Sequence, residues 1–169
     1  MQFCQLDAGL ADKLNCLQLF THRLGRLKAL QPVERRTFVA AMLLLPLAGL
    51  GLRLFGLARM QTLLRVKRPL AQASASLLEI QSMGKLVNMA AKQSPFPATC
   101  LTRSTLLAWM LARRGIPCQL RIGVKLDEGA FAAHAWVEWQ GIPVNDKPDI
   151  ATRFHAFESP EPPSAFQTS

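Results

Sequence analysis

Several features common in proteins are missing from this 169-residue sequence, and each absence narrows the class of protein. The four cysteines form no CxxC pair and show no metal-site spacing with the three histidines, so we expect no zinc site and no cofactor. The chain does not open with the basic segment, apolar stretch and small-residue cleavage site of a signal peptide. We therefore expect a cytoplasmic protein with free thiols. No base-reading motif accompanies the basic residues, which disfavours nucleic acid as a partner.

Acidic residues are scarce in the first part of the chain. Residues 1–97 hold thirteen Lys and Arg against four Asp and Glu, whereas residues 98–169 hold seven of each. The net charge of +9 therefore belongs entirely to the first part. Such a basic region attracts anionic lipid headgroups, nucleic acid or an acidic partner.

The longest apolar run is too short for an ordinary membrane span. It covers fifteen residues, 38–52, is interrupted by Pro46 and ends at Arg53, whereas a spanning helix needs roughly twenty apolar residues. We interpret it as part of a helix that starts near Pro32 and is buried or faces a partner. Peripheral membrane contact through residues 38–68 is the alternative, because five basic residues follow the run.

The remaining pattern predicts an α+β protein. Apolar residues at helical spacing predict helices over residues 6–20 and 76–92, and the chain then becomes extended at Pro95 and Pro97. A further helix covers residues 100–114, with Thr99 as its N-cap, and is buried because it is apolar nearly all round. Two strands with period-two alternation follow it. We predict a helical region over 1–97, a core over 98–157 and a disordered tail over 158–169.

Three residues of the predicted core are the parts of a nucleophilic site. Cys100 opens the helix, His134 lies on the second strand, and Asp146 follows the next turn. Free N–H groups at a helix N-terminus favour a thiolate, and an imidazolium partner lowers the thiol pKa further. In this arrangement Cys100 attacks a carbonyl carbon, His134 transfers the proton and Asp146 holds the imidazole tautomer, while the Cys100 N–H donates to the oxyanion.

The strand register decides whether these residues meet. An in-register hairpin from Leu126 to Phe131 places Gly123 opposite His134, where the missing side chain leaves room for another element. We expect the Cys100 helix to pack across that face with its N-terminus over His134.

The next turn determines where Asp146 lies. A two-residue turn pairs Trp139 with Ile142 and sends Asp146 to the wrong face, whereas a three-residue loop pairs Glu138 with Ile142 and makes Asp146 a neighbour of His134. We predict the three-residue loop. Asp149 is the rival for the role of Asp146.

The other cysteines and histidines lack a comparable setting. Cys118 lies on the apolar face of a strand and fits an inert, buried thiol. No pattern around the remaining candidates points to chemistry; these are Cys4, Cys16, His22 and His155.

Five stretches of the chain resemble one family, the transglutaminase-like cysteine peptidases that act as the B protein, or leader peptidase, of lasso-peptide biosynthesis. They are Leu30–Arg36 (LQPVERR), Cys100-Leu101 with Leu107–Pro117 (LAWMLARRGIP), Leu120–Val124 (LRIGV), His134–Glu138 (HAWVE) and Gly141–Asp146 (GIPVND). The resemblance covers about residues 30–150. It implies a papain-like core in which a buried nucleophile helix packs on an antiparallel sheet.

The resemblance also implies a function and partners. The enzyme would remove the leader from a ribosomally made precursor with Cys100 as nucleophile, His134 as base and Asp146 as orienter. An ATP-dependent cyclase would then close the ring. The leader-recognition domain of fused family members is not recognisable here, so a separate leader-binding protein is implied.

Two other functions stay open at this point. One is a different acyl-transfer enzyme on the same fold, such as an amidase or an amine acyltransferase. The other is a non-catalytic membrane or scaffold protein that uses its basic, leucine-rich first part.

Overall fold

A computed structural model of the protein describes residues 31–63, 75–127 and 130–157. Its elements in chain order are α1 (Pro32–Leu63), α2 (Leu77–Gln93), α3 (Cys100–Arg113), β1 (Gln119–Asp127), β2 (Ala130–Trp139), β3 (Ile142–Pro143), α4 (Ile150–Arg153) and β4 (His155–Ala156). Helices followed by an antiparallel sheet of order β3-β2-β1-β4 confirm the predicted α+β class. The helix predicted over residues 6–20 and the tail predicted to be disordered lie outside the described residues, and the division predicted at residue 97 stays a prediction.

Helix α1 begins at Pro32, as predicted, and continues through Pro46. By length and composition its Pro32–Thr62 portion could cross a membrane. The helical geometry breaks only at Gly56, whose φ of 72° is open to glycine without strain. Since a Cβ on Gly51 would lie 2.8 Å from the end of the Met60 side chain, the chain after the break turns back against α1.

The caps of α2 and α3 follow from their sequences. Ser76 and Glu79 form a reciprocal capping box at the start of α2. Thr99 caps α3 by accepting a hydrogen bond from the Thr102 N–H at 3.2 Å. Both helices therefore begin within a residue of the predicted positions.

Helix α3 is the centre of the core. It packs against α2, β1 and β2. Its inward side chains are almost fully buried, as are their neighbours on the other elements; the set includes Leu106, Leu107, Leu111, Ile80, Val87, Ala90, Ala135 and Val137. The prediction of a buried helix on an antiparallel sheet is confirmed, and the sheet holds the site described below against this helix.

The two hairpins gave opposite outcomes. Gly123 lies opposite His134 and Leu126 opposite Phe131, as predicted. The prediction for the second turn was wrong, because Trp139 pairs with Ile142. Gln140 and Gly141 have φ angles of 51° and 77°, and a two-residue turn with two positive φ angles matches the twist of the flanking strands.

Candidate active site

The first candidate residue, Cys100, is the first residue of α3. The hydroxyl of Thr99 accepts a hydrogen bond from the Thr102 N–H and lies 3.0 Å from the Thr102 hydroxyl. The thiol of Cys100 is half-buried and not in a disulfide. The residue therefore lies at the positive end of the helix dipole.

The second and third candidates are joined directly. Nε2 of His134 lies 2.6 Å from Oδ2 of Asp146, and the two side chains are 22% and 25% exposed. The carboxylate accepts from this nitrogen and so fixes the ring orientation, which leaves Nδ1 for a thiol or a substrate. The pair resembles the base and orienter of a nucleophilic triad.

Asp146 reaches His134 by a route that the sequence did not predict. The ladder continues for one bond beyond β3, from the Val144 N–H to the Val137 carbonyl at 2.9 Å. The chain then bends over residues 144–146, so the strict alternation of side chains no longer applies. The Lys147 N–H donates to Oδ1 of Asp146 at 2.8 Å and orders the carboxylate further.

Asn145 holds this bend in place. Its Oδ1 accepts from the Val137 N–H at 2.8 Å, and its Nδ2 donates to the Ser104 hydroxyl at 2.9 Å. Its carbonyl accepts from Nδ2 of Asn88 at 2.7 Å. We call Asn88, Ser104 and Asn145 the clamp, because they tie β2, α2 and α3 to the segment that carries Asp146.

Close packing supports the clamp. A Cβ on Gly84 of α2 would collide with the Val144 carbonyl, so the absent side chain lets the helix approach the bend. The sequence analysis missed the clamp. The signal was available in Ser104, a hydroxyl that is fully buried in a largely apolar helix, since a buried polar group must find a partner.

The clamp also connects α3, which begins at Cys100, to β2, which carries His134. The Ser104 hydroxyl donates to the carbonyl of Ala135, the residue after His134, at 2.9 Å. Cys100 precedes Ser104 by four residues and therefore lies on the same side of α3, one turn closer to its N-terminus. Direct contact of the Cys100 thiol with the His134 ring stays a prediction.

The space that Gly123 leaves opposite His134 is lined by Trp136, Phe154 and His155, and not by the Cys100 helix that we predicted there. A Cβ there would lie 3.0 Å from Cβ of Phe154 and 2.9 Å from the Trp136 ring. The ring centroids of His134 and Phe154 are 5.2 Å apart. Helix α3 contacts β2, but around Trp136 this face is covered by Ile150 and Phe154.

A buried carboxylate fixes the aromatic neighbour of His134. Oε1 of Glu138 accepts from the Trp136 indole N–H at 2.8 Å, and Oε2 accepts from Nε of Arg121 at 3.0 Å. Because both oxygens are satisfied, the carboxylate is tolerated at 8% exposure. The Trp136 ring, which lies 6.4 Å from the His134 ring between centroids, is thus held in a fixed orientation.

The rival residues occupy other settings. Asp149 is exposed at the N-cap position of α4 and makes no side-chain capping bond. The Cys118 thiol donates to the Ala108 carbonyl at 3.7 Å, and burial raises its pKa to about 12. His155 is exposed on β4, and the candidates Cys4, Cys16 and His22 lie outside the described residues. In residues 31–63, 75–127 and 130–157 no three His, Cys, Asp or Glu side chains are grouped to hold a metal ion.

A cysteine at a helix N-terminus, and a strand histidine that is hydrogen-bonded to an aspartate, are typical of thiol-dependent acyl-transfer domains. Residues 41–159 match the model of the transglutaminase-like superfamily. This match covers well over half of the sequence, and the chain belongs to that superfamily. The assignment indicates activity of the cysteine peptidase or acyltransferase type. Neither the curated proteins nor the solved structures contain a significant match to the chain.

Proposed function

We propose that the protein is a cysteine peptidase that removes the leader from a ribosomally synthesised lasso precursor peptide. The observation that carries the proposal is the 2.6 Å hydrogen bond between Asp146 and His134. His134 lies on β2, the strand against which the Cys100 helix packs. The sequence resemblance supplies the substrate class. The family match supports the peptidase or acyl-transfer chemistry but extends to no particular substrate.

The chemistry follows from the groups at the site. The Cys100 sulfur attacks the carbonyl carbon of the scissile bond after its proton has passed to Nδ1 of His134. The same nitrogen returns the proton to the leaving amine as the C–N bond breaks and a thioester remains on Cys100. Water then attacks the thioester, His134 takes a proton from the water, and the leader carboxylate leaves as the thiol is reprotonated.

Two features stabilise the charges that develop. The backbone N–H of Cys100 has no partner within the helix, because the first N–H groups of any helix lack one, and it can donate to the oxyanion. The Asp146 carboxylate stabilises the imidazolium that forms when His134 holds the proton. Neither contribution needs a metal or a cofactor.

The proposed partners are a separate leader-recognition protein and an ATP-dependent lasso cyclase. The recognition protein would present the precursor to the Cys100 site, and the cyclase would join the new N-terminus to an acidic side chain. We expect the chain alone to cleave poorly, because presentation of an extended peptide contributes much of the rate in such a two-protein enzyme.

The test is incubation with a leader-bearing precursor and the recognition protein, followed by mass spectrometry. We expect two fragments from one backbone cleavage with the wild-type chain and with Cys118→Ala, and none with Cys100→Ala. Transfer of an acyl group without backbone cleavage would favour an amidase or amine acyltransferase instead. Full function of the Cys100→Ala chain would favour a non-catalytic protein.

A further inference from the structure

Helix α1 carries an exposed row of aliphatic side chains. The row consists of Val39, Leu43, Leu47, Leu50 and Leu54, each between 51% and 67% exposed. Steps of three and four residues place them on one side of a helix, over a length of about 22 Å. We call this row the α1 stripe.

The opposite side of α1 is fixed to the rest of the fold. Its inward residues are at most 5% exposed; they are Phe38, Ala41, Leu45 and Ala48. The Thr37 hydroxyl accepts from the Arg114 guanidinium at 3.2 Å, and Gly49 lies against Thr102 of α3. Crossing a membrane would expose this packed side to lipid and break these contacts. Although α1 is apolar enough to span a membrane, only its exposed face is therefore free to contact lipid.

The charge around the stripe has one sign. The sequence from residue 35 to residue 78 holds seven Lys and Arg and no Asp or Glu. Two of the seven, Arg53 and Arg59, lie at and beyond the end of the stripe and are exposed. Neither forms an ion pair with any residue in the described part of the chain, so both charges are available to an anionic surface.

The chemistry of the stripe favours lipid over a protein partner. Protein interfaces need about one hydrogen bond per 100–200 Å² and are enriched in aromatic and polar anchors. The stripe is purely aliphatic, and the single large aromatic beside it is Phe55, which is 48% exposed. A lipid surface requires no directed hydrogen bonds and matches an aliphatic row with basic residues at its end.

We propose that the α1 stripe docks on an anionic lipid membrane, with α1 lying in the plane of the headgroups. The leucines enter the boundary of the acyl chains while Arg53 and Arg59 contact the lipid phosphates. The turn at Gly56 and the return of Met60 to Gly51 end the stripe, so that contact stays shallow. This inference does not depend on the proposed peptidase activity.

The experiment is co-sedimentation of the full chain with vesicles. We expect binding to vesicles that contain phosphatidylglycerol and little binding to phosphatidylcholine alone. The triple variant Leu43→Ser/Leu47→Ser/Leu50→Ser should lose binding at least tenfold. The matched control is Leu78→Ser, since Leu78 is 78% exposed on α2 and lies outside the stripe.

Charge is tested separately. Arg53→Gln/Arg59→Gln should weaken binding by about fivefold per arginine and reduce the preference for phosphatidylglycerol. Lys92→Gln on α2 should change neither. Equal binding to both vesicle types, or none by the wild-type chain, would overturn the proposal. A wild-type dimer in light scattering that the triple serine variant abolishes would assign the stripe to a second copy and also overturn it.

Discussion

Helix α3 begins at one cysteine, a second cysteine lies beyond its other end, and the two thiols have different chemical settings. Cys100 begins the helix and is half-buried, and its own backbone N–H has no partner within the helix. Cys118 lies beyond the other end and donates its S–H back to the helix carbonyl of Ala108. Burial raises the pKa of Cys118 to about 12, so at neutral pH only about one such thiol in 10⁵ is ionised.

The two thiols show that the local setting, and not residue type alone, decides what a cysteine can do. At the N-terminus the backbone supplies N–H donors. The Cys118 thiol is buried instead, and a carbonyl within the helix accepts its proton. Polar groups follow the same division. The clamp and the His134–Asp146 pair belong to the site end, while Leu111 and Ile116 pack the far end.

The largest expected effect separates the two thiols. Cys100→Ala should lower kcat/KM for precursor cleavage by at least about 10³-fold, because no other group can form the thioester. Cys118→Ala should keep cleavage near the wild-type rate and cost about 1 kcal/mol of stability from the lost packing. Fragment formation measured by mass spectrometry and urea unfolding measured by circular dichroism test both statements. Equal activity of the two variants would break the comparison.

The next effect concerns the carboxylate at His134. Asp146→Asn should lower kcat by about 10²–10⁴-fold, since the amide can donate to Nε2 and stabilise the wrong imidazole tautomer. Asp149→Asn is the matched control and should change kcat little, because that side chain is exposed and has no capping bond. Steady-state kinetics of both variants decide between the two aspartates. A larger loss at Asp149 would show that the hydrogen bond to Asp146 is not the functional one.

The parts of the site that the sequence predicted are those set by local rules. The α3 start follows from a threonine N-cap after two prolines, and the Gly123–His134 pairing follows from one short hairpin between alternating strands. Both depend on residues near each other in the chain. Asp146 does lie beside His134, although the turn from which this contact was predicted was wrong.

The missed parts depend on contacts that are distant in sequence. Asn145 bonds to Asn88, 57 residues away, and to Ser104, 41 residues away, and these contacts bend the chain so that Asp146 reaches His134. Strand register predicts side-chain positions only while the strand continues, so it does not predict this bend. The cover of Ile150 and Phe154 over Trp136 was missed for the same reason.

The clamp offers a test of how the site end is held. Asn145→Ala removes the partner of the Val137 N–H and the donor to the Ser104 hydroxyl, and should cost about 2–3 kcal/mol of stability. It should also lower kcat about ten- to a hundredfold with little change in KM, because Asp146 is displaced from His134.

The control for the clamp lies at the far end of α3. Leu111→Ala should destabilise by about 2–5 kcal/mol, since the side chain is fully buried, yet leave kcat unchanged under folding conditions. Urea unfolding and steady-state kinetics on both variants separate positioning from stability. If Asn145→Ala lost the expected stability but stayed fully active, the clamp would stabilise the fold without positioning Asp146.

The smallest expected effect tests the far end through pH. The folded pKa of Cys118 is about 12, raised from 9.0, so between pH 9 and 12 the unfolded chain loses this proton while the folded chain keeps it. Stability from this group is therefore complete below pH 9 and declines as the pH rises, by about 1 kcal/mol between pH 9 and 10. Between pH 9 and pH 10 the unfolding free energy of Cys118→Ala should therefore fall by about 1 kcal/mol less than that of the wild-type chain. Urea titration at both pH values measures the difference. Equal losses of unfolding free energy between pH 9 and pH 10 in the wild-type and Cys118→Ala chains would contradict this prediction.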